Sequence, residues 1–190
     1  MKKNIIYSVL LVFALPLVAY AQRPFSDKGI IYTVSPLFGY ETVYRSTPTP
    51  HTTAKVMYGI RLTAGYEKIS AELEFTRSND TENYINAPQK ISYLDEKLKL
   101  GVRSSYGISS LFSISVRLGG QAKQSTVEST SNNVTTTTKN DPEYSPYAGG
   151  AFNAYLGKIG FHLGTTVVFK DFNDMGKNEY QNTIAVSTGF

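Results

Sequence analysis

Apolar and polar residues alternate along most of this chain, and this period of two constrains the fold more than any other feature. In residues 55–67 the even positions from Val56 to Tyr66 are apolar, whereas the odd positions include Lys55, Arg61 and Glu67. Successive side chains of a strand point to opposite faces, so this segment predicts a strand with one apolar and one polar face. Seven further runs of this kind occupy residues 30–44, 69–76, 94–103, 112–119, 145–156, 159–170 and 180–190. We therefore predict eight strands.

The connections between the runs alternate between short and long. Short turns are predicted near residues 67–68, 104–110 and 157–158, and longer polar segments near 45–54, 78–90, 122–143 and 171–178. An even number of strands joined in this way forms an antiparallel meander whose two ends lie at the short-turn side. A loop as long as 122–143 is unexpected inside a compact soluble domain, but it is expected outside a membrane barrel. Pro36 lacks an amide donor within the first run, so we predict a bulge there.

The composition agrees with a single sheet-rich domain. The chain has 190 residues with 14 Tyr and 10 Phe, and aromatic residues favour strands. It has no cysteine, which excludes disulfides, thiolate zinc sites and a cysteine nucleophile. The formal charge of +4 includes Lys2 and Lys3, which lie in the N-terminal segment described next. The small remaining excess gives no argument for nucleic-acid binding.

The N-terminus has the pattern of a secretory signal. Lys2 and Lys3 precede an apolar stretch over residues 5–18, and Ala19-Tyr20-Ala21 gives a small-x-small cleavage pattern. The apolar stretch is shorter than the roughly 20 residues that a membrane-spanning helix needs. We therefore predict a cleaved signal peptide over residues 1–21, followed by a single barrel domain over residues 22–190.

The distribution of charge indicates whether the apolar faces of the strands point into the barrel or toward lipid. A soluble sandwich or lipocalin-like barrel would turn its apolar faces inward, whereas a membrane barrel turns them toward lipid and keeps its charges inside. Strands of about 10–15 residues fit a tilted membrane crossing, and closure leaves no unpaired strand edge in lipid. Tyrosines also recur near the predicted strand ends, at Tyr32, Tyr44, Tyr66 and Tyr180. We predict a closed, antiparallel, eight-stranded transmembrane β-barrel with short periplasmic turns and long extracellular loops.

The chain resembles the small eight-stranded outer-membrane barrels of Gram-negative bacteria, of the OmpA-barrel and OmpX/Ail type, over nearly all of residues 30–190. Its last run is similar to the Phe-ended assembly signal of that class and comprises Tyr180, Ile184, Val186 and Phe190. The resemblance implies a bacterial outer-membrane location, contact with outer-membrane lipid and lipopolysaccharide, and insertion by the outer-membrane assembly machinery. We also expect a monomer. Because the sequence stops at Phe190, we expect no peptidoglycan-binding domain of the kind that follows some OmpA barrels.

Charged residues on the inward face are predicted to form a network in the lumen: Arg61, Glu72, Glu74, Lys97, Lys99, Arg103 and Arg117. An eight-stranded barrel has an interior just wide enough for side chains, and an unpaired buried charge is costly. We therefore predict that these residues pair and plug the lumen. A conducting pore is the alternative.

The sequence contains no recognisable catalytic or metal-binding set. His162 shares the inward face and could act as a general base, but a base needs a nucleophile within hydrogen-bond reach. Outer-membrane deacylases place a serine two positions after the histidine, where this chain has Gly164. Residues 171–176 begin like a calcium loop, but Met175 and Asn182 occupy its fifth and twelfth positions. We predict no enzyme activity, no cofactor and no metal.

The predicted function is therefore structural or recognition-based. The barrel would anchor and display the loops at residues 45–54, 78–90 and 122–143, and the resemblance to the Ail type implies adhesion or host-factor binding through them. The alternative function is a small porin-like channel for ions or solutes.

Overall fold

The computed structural model describes residues 29–45, 50–84, 89–131, 134–156 and 159–189. Within these ranges the chain forms nine strands and one 3-10 turn. The strands are β1 Ile31–Arg45, β2 His51–Gly65, β3 Ile69–Tyr84, β4 Gln89–Gly107, β5 Phe112–Ser131, β6 Val134–Lys139, β7 Glu143–Leu156, β8 Ile159–Val168 and β9 Glu179–Gly189, and the 3-10 turn is Met175–Lys177. No helix in these ranges is long and apolar enough to cross a membrane. The predicted signal peptide, residues 1–21, lies outside the described residues.

Eight of the strands close into an antiparallel barrel. Each pairs with its neighbour along the chain, except that β5 pairs with β7 because β6 lies outside the ring. The ring closes where β9 pairs with β1, with Phe38 opposite Ile184 and Thr42 opposite Tyr180. Closure removes the unpaired edges that an open sheet would present. The predicted closed eight-stranded barrel is confirmed.

The barrel turns its apolar side chains outward and its charged side chains inward. Phe38 and Leu100 on the outer face are 59% and 66% exposed, whereas Glu74 and Lys99 on the inner face are completely buried. A soluble barrel would show the opposite arrangement, because apolar side chains gain free energy by leaving water. The outward apolar face is the one that the sequence predicts.

The outward apolar residues form a band of nearly constant height. Along β2 the band runs from Val56 to Tyr66, the first residue after the strand, and on β5 it runs from Phe112 to Ala122, which is 11 residues in each case. This length matches the roughly 9–11 residues with which a tilted strand crosses the hydrocarbon layer.

Three barrel strands continue beyond the band and, with the added strand β6, occupy most of two predicted loops. β3 and β4 pair as far as Tyr84 and Gln89, while β5 pairs with β4 as far as Ser131 and turns back as β6. We call residues 77–84, 89–96, 124–131 and 134–139 the strand extension. The prediction of long loops at 78–90 and 122–143 was therefore wrong for most of these residues. Their threonines favour strands, and continued pairing satisfies the backbone.

The other two long connections also differ in extent. In segment 45–54, β1 ends at Arg45 and β2 begins at His51, while residues 46–49 lie outside the described residues. Segment 171–178 is a connection as predicted, and the Asp174 side chain accepts a hydrogen bond from the Gly176 amide in its 3-10 turn.

Strand β1 passes through Pro36 without a bulge, contrary to the prediction. Its register with β9 is the same on either side, with Val34 opposite Thr188 and Leu37 opposite Ala185. The pairing with β9 omits Pro36, whereas Pro36 keeps its partner Ile60 on β2. The missing amide donor therefore falls on the β9 side.

Candidate functional site

The centre of the lumen is organised around the buried carboxylate of Glu74. Arg61, Glu74 and Lys99 stand directly opposite one another on β2, β3 and β4. Glu74 accepts hydrogen bonds from Lys99 Nζ, from Arg61 Nε at 2.8 Å and from Arg117 Nη1 at 2.8 Å. Three cations therefore share one carboxylate at this level. Charge-assisted hydrogen bonds of this kind are among the strongest in proteins.

A second buried carboxylate, Glu72, lies one layer closer to the short turns. Arg61 Nε and Arg117 Nε lie 3.5 Å and 3.3 Å from its oxygens, and the Tyr147 hydroxyl donates to it at 3.3 Å. The Tyr147 side chain can reach Glu72 because residue 101 is a glycine. A Cβ atom at Gly101 would collide with the Tyr147 hydroxyl. The inward glycine thus makes room for an aromatic partner of the network.

Toward the strand extension the charges form a third layer. Lys97 contacts Glu41 and lies 2.8 Å from Glu179, and Lys123 lies 3.3 Å from Asp95 and 3.7 Å from Glu179. Sequence analysis included only Lys97 of these residues in the network. Lys123 lies in the segment that was predicted to be a loop, and the register that brings its carboxylate partners together is not visible in the sequence.

The structure brings six of the seven predicted lumen residues into ion pairs: Arg61, Glu72, Glu74, Lys97, Lys99 and Arg117. The seventh, Arg103, has no carboxylate within ion-pair distance among the described residues. It donates instead to Asn153 Oδ1 at 2.8 Å. The ion-paired side chains come from opposite walls and fill the middle of the lumen.

The short-turn end of the lumen holds a hydrogen-bonded set that sequence analysis missed. His162 Nε2 lies 2.7 Å from Ser187 Oγ, and His162 Nδ1 lies 2.6 Å from Asn153 Oδ1. No nucleophile for His162 is visible along its own strand, where the position two residues later is Gly164. The partners come instead from the neighbouring strands β7 and β9. A cavity of about 640 Å³ opens beside them, between the short turns.

The opposite end of the lumen is covered by a cluster around Arg45. Its guanidinium group lies 3.2 Å from Asp80 and 3.0 Å from Glu82, and its Cζ atom lies 3.3 Å from the centroid of the Tyr93 ring. His51 Nε2 lies 3.3 Å from the same Glu82 carboxylate. Paired charges and a cation–π contact thus close this mouth.

The described residues of the predicted assembly signal lie on the outer face of β9. Ile184 and Val186 are 60% and 42% exposed, and the Tyr180 hydroxyl donates to the Met175 carbonyl at 3.1 Å. Phe190 lies outside the described residues. The role of this run in assembly stays a prediction.

No protein-family model matches the chain, and no curated protein matches it in sequence. Solved structures do match its fold. The Neisserial surface protein A (NspA) has a TM-score of 0.59 at 8% identity, with 86% of this chain and 100% of that chain covered. Ail, the attachment invasion locus protein of Yersinia pestis, in complex with the heparin analogue sucrose octasulfate, has a TM-score of 0.60 at 8% identity, with the same coverage. The chain thus has the fold of the small eight-stranded outer-membrane barrels.

Proposed function

We propose that this protein is an outer-membrane anchor that displays the strand extension for adhesion or for binding a host factor. One observation carries the proposal: a barrel whose lumen is filled with ion pairs supports a paired sheet that rises beyond the apolar band. A filled barrel is a rigid base, and a rigid base lowers the entropy cost of binding at the sheet that it carries. The similar fold of Ail, the attachment invasion locus protein of Yersinia pestis, supports this proposal.

The membrane location is part of the proposal and follows from the apolar band. Its height matches the hydrocarbon layer, and its exposed apolar side chains would aggregate in water. We propose that the chain is exported by a signal peptide over residues 1–21, inserted by the outer-membrane assembly machinery, and held as a monomer in contact with lipid and lipopolysaccharide. The strand extension then lies on the cell surface, because the short turns lie at the opposite, periplasmic end.

The surface of the strand extension offers hydrogen bonds rather than a concentrated charge. The threonines from Thr135 to Thr138 are exposed, and the exposed charges nearby are of both signs, with Lys139 close to Glu128 and Asp141. A polyanion would meet those carboxylates as well as the lysine. The ligand that fits best is therefore one recognised by hydrogen bonding to hydroxyl groups and to the β6 backbone, such as an extended protein segment.

The structure gives no support to the channel alternative. A conducting path would have to cross the layers around Glu74 and Glu179, where buried side chains from opposite walls contact one another. Separating these pairs would leave charges unpaired in a narrow lumen, which is costly.

The location is tested by refolding the protein in detergent. We expect a sheet-dominated circular dichroism spectrum and a different gel mobility before and after boiling, because a closed barrel resists unfolding by the gel detergent. A helical spectrum, or a stable fold without detergent, would contradict the membrane barrel.

The display function is tested by removing the hairpin without cutting the barrel. The Asn140 amide donates to the Ser125 carbonyl at 2.9 Å, so residues 126–139 can be replaced by a two-residue Asn-Gly turn at that point. We expect the intact barrel, embedded in lipid nanodiscs, to bind at least one immobilised extracellular-matrix protein, and the shortened barrel to lose this binding. Binding that is equal for the two proteins would contradict display by the strand extension. A variant with Thr135 and Thr137 replaced by Ser keeps the hydroxyls and serves as the matched control.

A further inference from the structure

Three polar residues from three adjacent strands converge at the short-turn end of the lumen. Asn153 on β7 stands directly opposite His162 on β8, and Ser187 on β9 stands opposite Gly160, two residues before His162. This diagonal register places Ser187 Oγ 2.7 Å from His162 Nε2, while Asn153 Oδ1 lies 2.6 Å from His162 Nδ1. The histidine therefore bridges a hydroxyl and an amide oxygen.

The orientation of the Asn153 amide is determined by its other partners. Its Nδ2 atom lies 3.3 Å from the Ser113 carbonyl oxygen, which can only accept a hydrogen bond. Its Oδ1 atom lies 2.8 Å from Arg103 Nη2, which can only donate. The oxygen of the amide must therefore face His162.

This orientation fixes the tautomer of the histidine. Because Asn153 Oδ1 accepts, His162 Nδ1 carries the proton and donates it. Arg103 Nη2 lies 3.4 Å from the same Nδ1 atom, and both nitrogens donate to Asn153 Oδ1. The arginine beside the ring disfavours a second positive charge, and no carboxylate contacts the ring within the described ranges, so the imidazole is neutral. Its Nε2 atom is then unprotonated and accepts a hydrogen bond from the Ser187 hydroxyl. This is the arrangement in which a histidine activates a serine and a third residue orients the histidine.

The Ser187–His162 pair is accessible from the cavity at the short-turn end. Both residues line this cavity of about 640 Å³, which falls within the range of small-molecule sites. Gly160 allows the strands to bring the pair together: a Cβ atom there would lie 2.5 Å from Ser187 Oγ and 3.1 Å from His162 Nε2, which is too close for the contact to persist. A ligand would reach the hydroxyl from the cavity side.

Arg103 places a buried positive charge on the wall of this cavity, whose lining also includes the exposed Glu67 and Lys68. The Arg103 side chain is buried, lines the cavity, and lacks a carboxylate partner among the described residues, and its Nε atom has no hydrogen-bond partner. A cation without a counter-charge stabilises negative charge that develops nearby. Ile31 and Tyr155 add apolar surface to the same cavity. The cavity thus suits a small ester with an apolar acyl group.

We infer that Ser187, His162 and Asn153 form a nucleophilic centre that hydrolyses small carboxylic esters entering from the short-turn end. Ser187 Oγ bonds to the ester carbonyl carbon while its proton passes to His162 Nε2, and the carbonyl oxygen becomes an oxyanion. The bond from that carbon to the alcohol oxygen then breaks, and the alcohol leaves with the proton from His162. A water molecule, deprotonated by His162, attacks the acyl-serine and releases the carboxylic acid with Ser187 restored. This activity does not depend on the ligand of the strand extension.

The test uses the full-length protein refolded in detergent and a fluorophosphonate probe, which bonds covalently to activated serines. We expect one probe per folded molecule, located on Ser187 by peptide mass spectrometry, and hydrolysis of p-nitrophenyl butyrate. Ser187→Ala should abolish both signals. His162→Gln should slow labelling about 100-fold or more, since general-base catalysis contributes at least that much. Ser145→Ala is the matched control, because Ser145 is an equally buried lumenal serine and its loss should change neither signal.

Absence of labelling in the folded, unmodified protein would overturn the inference, as would labelling at another serine or a rate unchanged by His162→Gln. Heat-modifiable gel mobility shows whether each variant has folded. If a variant fails to fold, the labelling of the unmodified protein and the position of the label still test the inference. Labelling that maps to Ser187 and is slowed by excess p-nitrophenyl butyrate supports the centre, and labelling insensitive to the ester contradicts it.

Discussion

Replacing Glu74 by Gln removes a negative charge that three lumenal cations share, and we expect it to destabilise the barrel strongly. The substitution keeps the size of the side chain, so its effect reports on charge and not on a cavity. Lys99 would lose its carboxylate contact, whereas Arg61 and Arg117 would retain contacts with Glu72. All four side chains concerned are at least nine-tenths buried, so solvent compensates little.

The expected loss in free energy of unfolding is about 3–5 kcal/mol, the usual cost of removing one partner of a buried ion pair. The contacts that remain to Glu72 favour the lower end of this range. Since about 1.4 kcal/mol is a factor of ten, an effect of about 3 kcal/mol lowers the folding equilibrium constant by roughly two orders of magnitude.

The assay is equilibrium urea unfolding in detergent, monitored by tyrosine fluorescence, since the chain contains no tryptophan, and by gel mobility without boiling. Glu128→Gln is the matched control, because this glutamate is exposed on the strand extension. A Glu74→Gln midpoint equal to that of the control would refute the argument that the lumenal charges hold the barrel together.

Three further predictions concern the lumen, the lipid face and assembly. The unmodified protein should show little or no single-channel conductance in planar bilayers, and Glu72→Gln with Glu74→Gln should open a leak; a large steady conductance in the unmodified protein would contradict the plug. Leu163→Arg, in the apolar band, should lower the free energy of unfolding by about 2–4 kcal/mol, the cost of a cation facing lipid at mid-depth. Thr135→Arg, in the strand extension, should change it little, and equal urea midpoints would refute the membrane placement. Deleting Phe190 should reduce the amount of barrel in the outer membrane of cells more than it reduces refolding in detergent, and unchanged cellular levels would exclude an assembly signal.

The barrel was predictable because its two faces meet different environments. In β2 every second residue from Val56 to Ala64 is apolar and faces outward, while the residues between them include the charged Lys55 and Arg61, which face the lumen. That contrast is a local property of the sequence, so it indicates strands and faces without any knowledge of the pairing.

The strand extension was not predictable because it lacks this contrast between two faces. Both of its faces meet water, so Thr135 and Thr136 have the same polarity although they point to opposite sides. A paired strand beyond the apolar band therefore has the composition of a loop. Because Lys123 lies just before the strand extension, in the segment that was predicted to be a loop, it was not assigned to the lumenal network.

The set at the short-turn end depends on register, which a single sequence does not contain. His162 and Ser187 are separated by 25 residues and meet only because β8 and β9 pair as they do. A shift of one residue would turn Ser187 toward the outside of the barrel. Spacing along one strand could not reveal this contact.

The height of the strand extension limits what can reach it. Gln124 to Ser131 of β5 lie beyond the apolar band, and eight residues at about 3.3 Å each span about 26 Å along the strand. With a tilt of about 40° this corresponds to about 20 Å along the membrane normal. The headgroups occupy roughly 5–8 Å of that distance. A partner must therefore approach to within about 20 Å of the hydrocarbon layer, so a bacterium with a thicker saccharide coat would hide this surface from other cells.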